Sequence, residues 1–294
     1  EQFFPPADRD QFQIELELPA SASLAETMRT TEKIREVLLE YEDVRHVGWF
    51  LGESAPTFYY NLVPRRRNTA SYAQAFVQVD SAERSRELIH KLQRRLDHDF
   101  SSCRVLVRQL EQGPPFDAPV EVRVYGPDLD RLRDIGDELR LTLSETPHVI
   151  HSRTDLGDSS LKLALHVDED QARLARLSNA AIARQLNASL EGITGGAVLE
   201  GTEELPVRVR VSNEVRSEMD AVVSLDLRPD SQGATATKTV PLTALSDVEL
   251  LPEIATILHF DGRRMNEVQA YVTAGTLPAE VLADFQQRLA DANF

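Results

Sequence analysis

The chain opens on an unbroken alternation of apolar and polar positions. Phe12, Ile14, Leu16 and Leu18 fall on one side, and Gln11, Gln13, Glu15 and Glu17 on the other. That period of two predicts a strand buried on one face and wet on the other. Pro19 ends it. Ser23 followed by Glu26 has the spacing of a capping box, and Leu24, Met28, Ile34, Val37, Leu38 and Tyr41 predict a helix with one core-facing stripe. Strands follow at Val44–Leu51 and Tyr72–Val79, the second alternating Ala73, Ala75, Val77 and Val79 with polar or aromatic residues. Asp80 and Glu83 read as a second capping box, opening a helix that carries Leu88, Ile89, Leu92 and Leu96. A fourth strand follows over 103–110. The order β-α-β-β-α-β is that of a split βαβ, or ferredoxin-like, sandwich.

Gln112-Gly113-Pro114-Pro115 punctuates the chain, and a similar pattern restarts. A strand is predicted at 119–125, then a helix striped by Leu129, Leu132, Ile135, Leu139 and Leu143, then a strand from 149. The expected return strand does not follow directly. A different pattern intervenes: a strand at 161–167, helical residues around 169–177, and a helix carrying Ile182, Leu186 and Leu190. A turn marked by Gly192, Gly195 and Gly196 comes next, then a strand with Val207, Val209 and Val211, and a hairpin tip at Asp230-Ser231-Gln232-Gly233. Alternating strands resume near Ile257 and run to Val272, with a helix after Pro278. The fold class is therefore α+β, with two ferredoxin-like βαββαβ sandwiches, the second interrupted by an inserted α+β domain. The predicted boundaries are 1–113, then 114–157 with 255–294, and 158–254 for the insertion.

Composition narrows the classes of function. Of the 294 residues, 41% are hydrophobic and 27% charged, which is globular composition. The net charge of −16 argues against nucleic acid and anionic membrane surfaces as partners, since both call for Lys and Arg in excess. One cysteine, Cys103, excludes an internal disulfide. No apolar run approaches the ~20 residues of a membrane-spanning helix, and the start at Glu1 reads as a segment cut from a longer protein.

Several residue strings, in order and spacing, resemble the second large periplasmic loop of resistance-nodulation-division efflux permeases of the acriflavine-resistance type. They are Phe4-Pro5-Pro6-Ala7-Asp8-Arg9-Asp10-Gln11 before a strand ending Leu18-Pro19-Ala20-Ser21-Ala22-Ser23, and Gly195-Gly196 after an amphipathic helix. To these are added Thr239-Val240-Pro241-Leu242, and Phe260-Asp261-Gly262-Arg263 through Gly275. The resemblance implies two porter subdomains and half of a docking subdomain, belonging to the periplasmic part of a bacterial inner-membrane protein. It also implies a homotrimeric whole protein working with a periplasmic adaptor and an outer-membrane channel, while the excised segment alone is expected to be a monomer. Small hydrophobic or amphiphilic compounds are the implied substrates, no cofactor is implied, and the proton-carrying acids would lie in membrane helices outside this chain.

The resemblance also assigns candidate residues. Gly52, Glu53 and Pro56 fall in the family's switch loop, and Phe50, Phe58, Tyr60 and Phe76 would line the adjoining pocket, where rigid aromatics bind amphiphiles by area. Loop anchoring is the alternative role for each aromatic. Gln13, Glu15, Arg108, Arg153 and Glu267 would line an outer cleft between the porter subdomains, with a rim salt bridge as the alternative. Arg65-Arg66-Arg67 departs from the family's loop and reads as a solvated turn.

Enzyme chemistry finds little support. Gly52-Glu53-Ser54-Ala55-Pro56 lacks the second glycine of a nucleophile elbow, and no zinc spacing joins Cys103 to the scattered histidines. His148 and His151, three apart in a strand, should face opposite ways. Three methionines (Met28, Met219, Met265), Met28 on the helix stripe, count against soft-metal export. The alternative to a transporter segment is a soluble ligand-binding or regulatory protein with paired ferredoxin-like domains.

Overall fold

The opening alternation becomes strand β1 (Gln11–Glu17), with Phe12, Ile14 and Leu16 fully buried. The computed structural model describes residues 6–294 apart from 58, 60, 61, 114, 115, 158, 230–238, 255 and 293. Phe58, Tyr60, Pro114, Pro115 and the hairpin tip at 230–233 therefore lie outside the described residues, as do Phe4 and Pro5. Helix α1 (Leu24–Leu39) starts where expected, with the Ser23 Oγ accepting the Glu26 N–H at 3.2 Å. Its buried stripe differs from the expected one. Thr27, Thr31, Ile34 and Leu38 face the core, whereas Leu24 and Met28 are 48% and 44% exposed. The hydroxyls explain the rotation: Thr27 Oγ1 donates to the Ala70 carbonyl at 2.6 Å and Thr31 Oγ1 to that of Met28 at 2.8 Å. Satisfied hydroxyls can be buried at little cost.

Strands β2 (Val44–Leu51) and β3 (Tyr72–Val79) lead to α2 (Ala82–Asp99) and β4 (Arg104–Gln109). The cap of α2 is Ser81, whose Oγ accepts the Arg84 N–H at 3.3 Å, and not Asp80. The Asp80 carboxylate turns back instead to the guanidinium of Arg45. The sheet runs β2-β3-β1-β4 with every neighbour antiparallel, the order a split βαβ produces. Ile34, Leu38, Leu88, Ile89, Leu92 and Leu96 of the helices pack on its apolar face.

A second sandwich begins with β5 (Val120–Tyr125), α3 (Leu129–Ser144) and β6 (Val149–Thr154). The chain then enters a separate compact unit, Leu161–Pro252, distinct from the unit made by Glu1–Ser160 and Glu253–Phe294. The elements of this inserted region are β7 (Ser159–Val167), α4 (Glu169–Leu174), α5 (Asn179–Leu190), β8 (Ile193–Glu200) and β9 (Glu203–Val209). They continue with α6 (Asn213–Ser217), α7 (Met219–Val223), β10 (Asp226–Leu227), β11 (Val240–Pro241) and β12 (Ser246–Ile254). Ala172, Leu177, Ile182, Leu227, Leu242 and Leu245 anchor its core. Gly195 and Gly196 sit inside β8 at a bulge rather than in a turn. The turn belongs to Gly192, whose φ of 89° and N–H to the Asn187 carbonyl close the end of α5.

Back in the larger unit, β13 (Leu258–Phe260) and β14 (Arg263–Val272) form a hairpin turned by Asp261 and Gly262, with φ of 48° and 71° as a type I′ turn requires. Strand β14 pairs with both β5 and β6, and α8 (Pro278–Asp291) packs Val281 and Phe285 against Leu139, Leu143, Val268 and Ala270. The chain thus supplies β5-α3-β6 and β14-α8 of the second sandwich, and among the described residues no strand follows α8. One buried side chain knits this region together. Asn266, fully buried, donates to the Leu132 carbonyl at 2.9 Å and accepts from Thr154 Oγ1 at 2.7 Å and the Leu156 N–H at 3.3 Å. Gly136 of α3 lies so close that a Cβ there would come within 2.0 Å of Asn266 Nδ2.

Candidate functional site

Each sandwich has one sheet face without helices, and these faces carry the polar half of the strand alternation. On the first sheet, β1 contributes Gln13, Glu15 and Glu17. Their neighbours across the ladders are Phe76, Gln74 and Tyr72 on β3, and Arg108, Leu106 and Arg104 on β4. On the second sheet, β14 contributes Glu267, Gln269 and Tyr271, opposite Arg153 and His151 of β6 and Arg123 of β5. The sandwiches meet through Leu106, Ala118, Ile150 and Tyr271, and by a 2.9 Å contact between His151 Nε2 and the Asp97 carboxylate on α2. Between the two sheets a cavity of about 210 Å³ opens, lined mainly by charged and hydrogen-bonding side chains.

Ion pairs organise the cavity. Arg108 donates to Glu15 at 3.0 Å. Glu17 is approached by three guanidiniums: Arg104 in direct contact, Arg66 at 3.5 Å and Arg153 at 3.6 Å. The Arg153 Nε also donates to Gln269 Oε1 at 2.7 Å, and Asp155 stands 3.7 Å from the same guanidinium. Tyr271, only 5% exposed, forms the floor, with Arg104 and Arg108 over its ring at 5.2 and 5.9 Å from the centroid. Burial opposes the charge on Arg108, yet Glu15, Tyr271 and Glu111 around it hold its pKa above the ordinary value. Burial pushes the Glu111 carboxyl up, with Arg108 opposing. It does the same to Asp155, where Arg153 opposes and Glu267 adds to the shift. Tyr72 is likewise raised, first by burial and then by Glu15.

Of the residues expected to line an outer cleft, the structure brings Gln13, Glu15, Arg108 and Arg153 to this cavity. Glu267 lies on the same face of β14 but outside the lining, held by Arg123 Nε and Gln269 Nε2, each at 2.8 Å. Phe50 and Phe76 share the helix-free face of the first sheet and contact each other edge-on, ring centroids 6.3 Å apart, also outside the lining. Gly48 stands directly opposite Phe76 in the ladder. Phe58 and Tyr60 lie outside the described residues.

The connection holding Gly52, Glu53 and Pro56 is tied down at its base. Gly52, at φ 77°, donates its N–H to the Tyr72 carbonyl and accepts from the Thr69 N–H, and the Ala55 N–H reaches Gln74 Oε1 at 2.7 Å. Two arginines of the run that reads as a solvated turn, Arg65 and Arg66, line the cavity, while Arg67 is exposed outside it. Arg65 pairs with Asp117 at 2.6 Å and Arg66 with Glu17, because Ser54 Oγ takes both of their backbone N–H groups. Glu17, Arg104 and Tyr271 were not among the expected site residues. The polar phase of β1, and the arginines at 104 and 108 on one face of β4, held the signal for the first two; nothing local marks Tyr271. Among the described residues no group of three or more His, Cys, Asp or Glu is placed to hold a metal ion.

Two helix-backed sheets face each other across a charged cleft, with an α+β unit inserted in the second. Two X-ray crystal structures of a heavy metal efflux pump, in crystal forms I and II, share this fold with a TM-score of 0.75. They are 17% and 18% identical, over 98% of this chain and 30% of theirs. The chain matches the AcrB/AcrD/AcrF family over residues 1–293 and belongs to that family of resistance-nodulation-division efflux transporters. It is also 24% identical over 155 residues to the nickel and cobalt resistance protein CnrA of Cupriavidus metallidurans, a match covering 52% of this chain and 14% of that protein. The chain thus spans less than a third of the length of the proteins it matches.

Proposed function

We propose that this chain is the periplasmic substrate-binding and docking region of a proton-driven efflux transporter of the bacterial inner membrane. Residues 1–113, with 114–157 and 255–294, would serve as porter subdomains and 158–254 as half of a docking subdomain. The whole protein would act as a homotrimer with a periplasmic adaptor and an outer-membrane channel. The observation that carries the reading is the cleft between two helix-free sheet faces in a member of an efflux family. No helix among the described residues is long and apolar enough to cross a membrane, so coupling to protons would fall to other parts of the protein. Within the chain, transport would consist of the two sandwiches opening and closing around a solute.

Small amphiphilic organic compounds are the proposed substrates. The cavity offers them guanidiniums and carboxylates beside Leu62, Val63, Phe116 and Tyr72, a lining suited to a molecule with a charged head and an apolar body. Phe50 and Phe76 would extend the apolar side. The second reading is divalent-metal export, favoured by the names of the nickel and cobalt resistance protein and the heavy metal efflux pump.

Expressing the full reading frame in an efflux-deficient bacterium separates them. Reduced accumulation of amphiphilic dyes, lost on Arg108→Ala, supports the first. Nickel or cobalt resistance with no change for any organic solute overturns it.

A further inference from the structure

The two sandwiches repeat one another until the second stops short. In the first, β1 lies between β3 and β4, with β2 beyond β3. In the second, β5, β6 and β14 hold the places of β1, β2 and β3, since β14 pairs with β5 along one edge and with β6 along the other. Helices α3 and α8 hold those of α1 and α2. The place of β4, against the other edge of β5, is taken by no strand among the described residues. Burial records the same gap. Phe12, Ile14 and Leu16 of β1 are fully buried, whereas Val122 and Val124 of β5 are half-buried. Along α2, Ser85, Leu88, Ile89, Leu92, Gln93 and Leu96 are buried. Gln93 is pinned to β4, donating to the Val105 carbonyl and accepting from the Val107 N–H, each at 2.8 Å. Along α8 the buried residues are Val281 and Phe285, and Leu282 is 38% exposed. An unpaired strand edge presents a row of N–H and C=O groups ready for another strand.

We propose that the residues following Phe294 in the whole protein form a strand that pairs antiparallel with β5 and closes the second sandwich. This rests on the chain being one part of a longer protein, as its span of less than a third of the proteins it matches supports, and not on what that protein carries. The place where α8 ends makes the chain's own continuation the occupant. Helix α2 ends at Asp99 and β4 starts at Arg104, so the turn between them takes only residues 100–103. Helix α8 ends at Asp291, and a turn of the same length runs just past Phe294. So short a connection costs little closure entropy, which favours the continuation over a strand from a second copy. Alternate residues of the new strand cover Val122, Val124 and Leu282. The others extend the helix-free face beside Glu121 and Arg123, as Arg104 and Arg108 of β4 extend that of the first sheet.

Amide hydrogen exchange tests the assignment, comparing this chain with one that carries about twelve more residues of its own reading frame, enough for a turn and a strand. In the shorter chain, the β5 amides that do not bond to β14 should exchange freely. In the longer one they should slow by roughly a hundredfold or more, while the β1 amides, on a strand paired along both edges, stay as they are. Proline at two adjacent positions in the middle of the added strand should abolish the gain, because in either register one of them removes a ladder N–H. Free exchange of the same β5 amides in the longer chain would overturn the proposal, and so would slowing that survives the two prolines. Slow exchange already present in the shorter chain would overturn it too; if it grows with protein concentration, the edge belongs to a second copy. Each of these results leaves the efflux reading standing, which the accumulation and resistance assays decide separately.

Discussion

Replacing Gly136 by alanine sets two effects of opposite sign against each other. Gly136 lies within α3, where alanine is favoured over glycine by about 1 kcal/mol. An added Cβ, however, would sit 2.0 Å from Asn266 Nδ2 and 3.0 Å from Thr154 Oγ1. Asn266 is fully buried and held by three hydrogen bonds, to the Leu132 carbonyl, Thr154 Oγ1 and the Leu156 N–H, so it cannot swing aside into water. Either α3 moves off β14, an overpacking cost of ~1–3 kcal/mol, or the amide moves and breaks hydrogen bonds worth about 1 kcal/mol each, leaving buried groups unpaired. If two of the three break and their buried partners stay unpaired, the net expectation is a loss of about 2 kcal/mol after the helical gain. Urea unfolding followed by circular dichroism measures it. Because the chain has two compact units, hydrogen exchange at the Val268 and Ala270 amides would show that the loss falls in the second sandwich. A Gly136→Ala variant more stable than the parent, as helix propensity alone would have it, would refute the steric argument and the role given to Asn266.

Ser81→Ala should destabilise by ~1 kcal/mol through loss of the α2 cap, while Asp80→Ala should cost less, since its ion pair with Arg45 is solvent-exposed; urea midpoints of the two variants rank them. Burial raises the Glu111 carboxyl above its unfolded value, so the folded state holds that proton more tightly and stability falls as pH rises through the interval between the two values. Glu111→Gln should therefore be more stable than the parent at neutral pH, with the gap closing below the ordinary carboxylate range; unchanged pH dependence of the midpoint would count against a buried Glu111. Cys103 is half-buried, with its thiol near the Phe100 carbonyl and its pKa pushed up to about 11 by burial. Iodoacetamide should label it much more slowly at neutral pH than a free cysteine, and the rate should keep climbing past the pH where a free thiol levels off.

Local order is where the chain's own pattern speaks. The period of two in β1 and β3 determines that Phe12, Ile14, Leu16, Ala75 and Val77 share one face, because successive side chains on a strand point oppositely whatever the strand pairs with. The stripe of α2 is legible from its helical period, and so is the family, carried by strings in order along the chain. Even local reading fails where the decision is tertiary. Thr27 displaces Met28 from the core of α1 because the Ala70 carbonyl, 43 positions away, is there to accept its hydroxyl. Ser54 holds the backbone of Arg65 and Arg66, so that both line a cavity where composition would leave them in water. The cleft belongs wholly to this second kind. Its polar residues are visible in the alternation, but that Glu17 meets arginines from positions 66, 104 and 153, over Tyr271, follows from sheet order and from two helix-free faces docking together. No repeat distance in the chain encodes those meetings; they arise only when each sheet has buried its apolar face under helices and is left with a charged one to share.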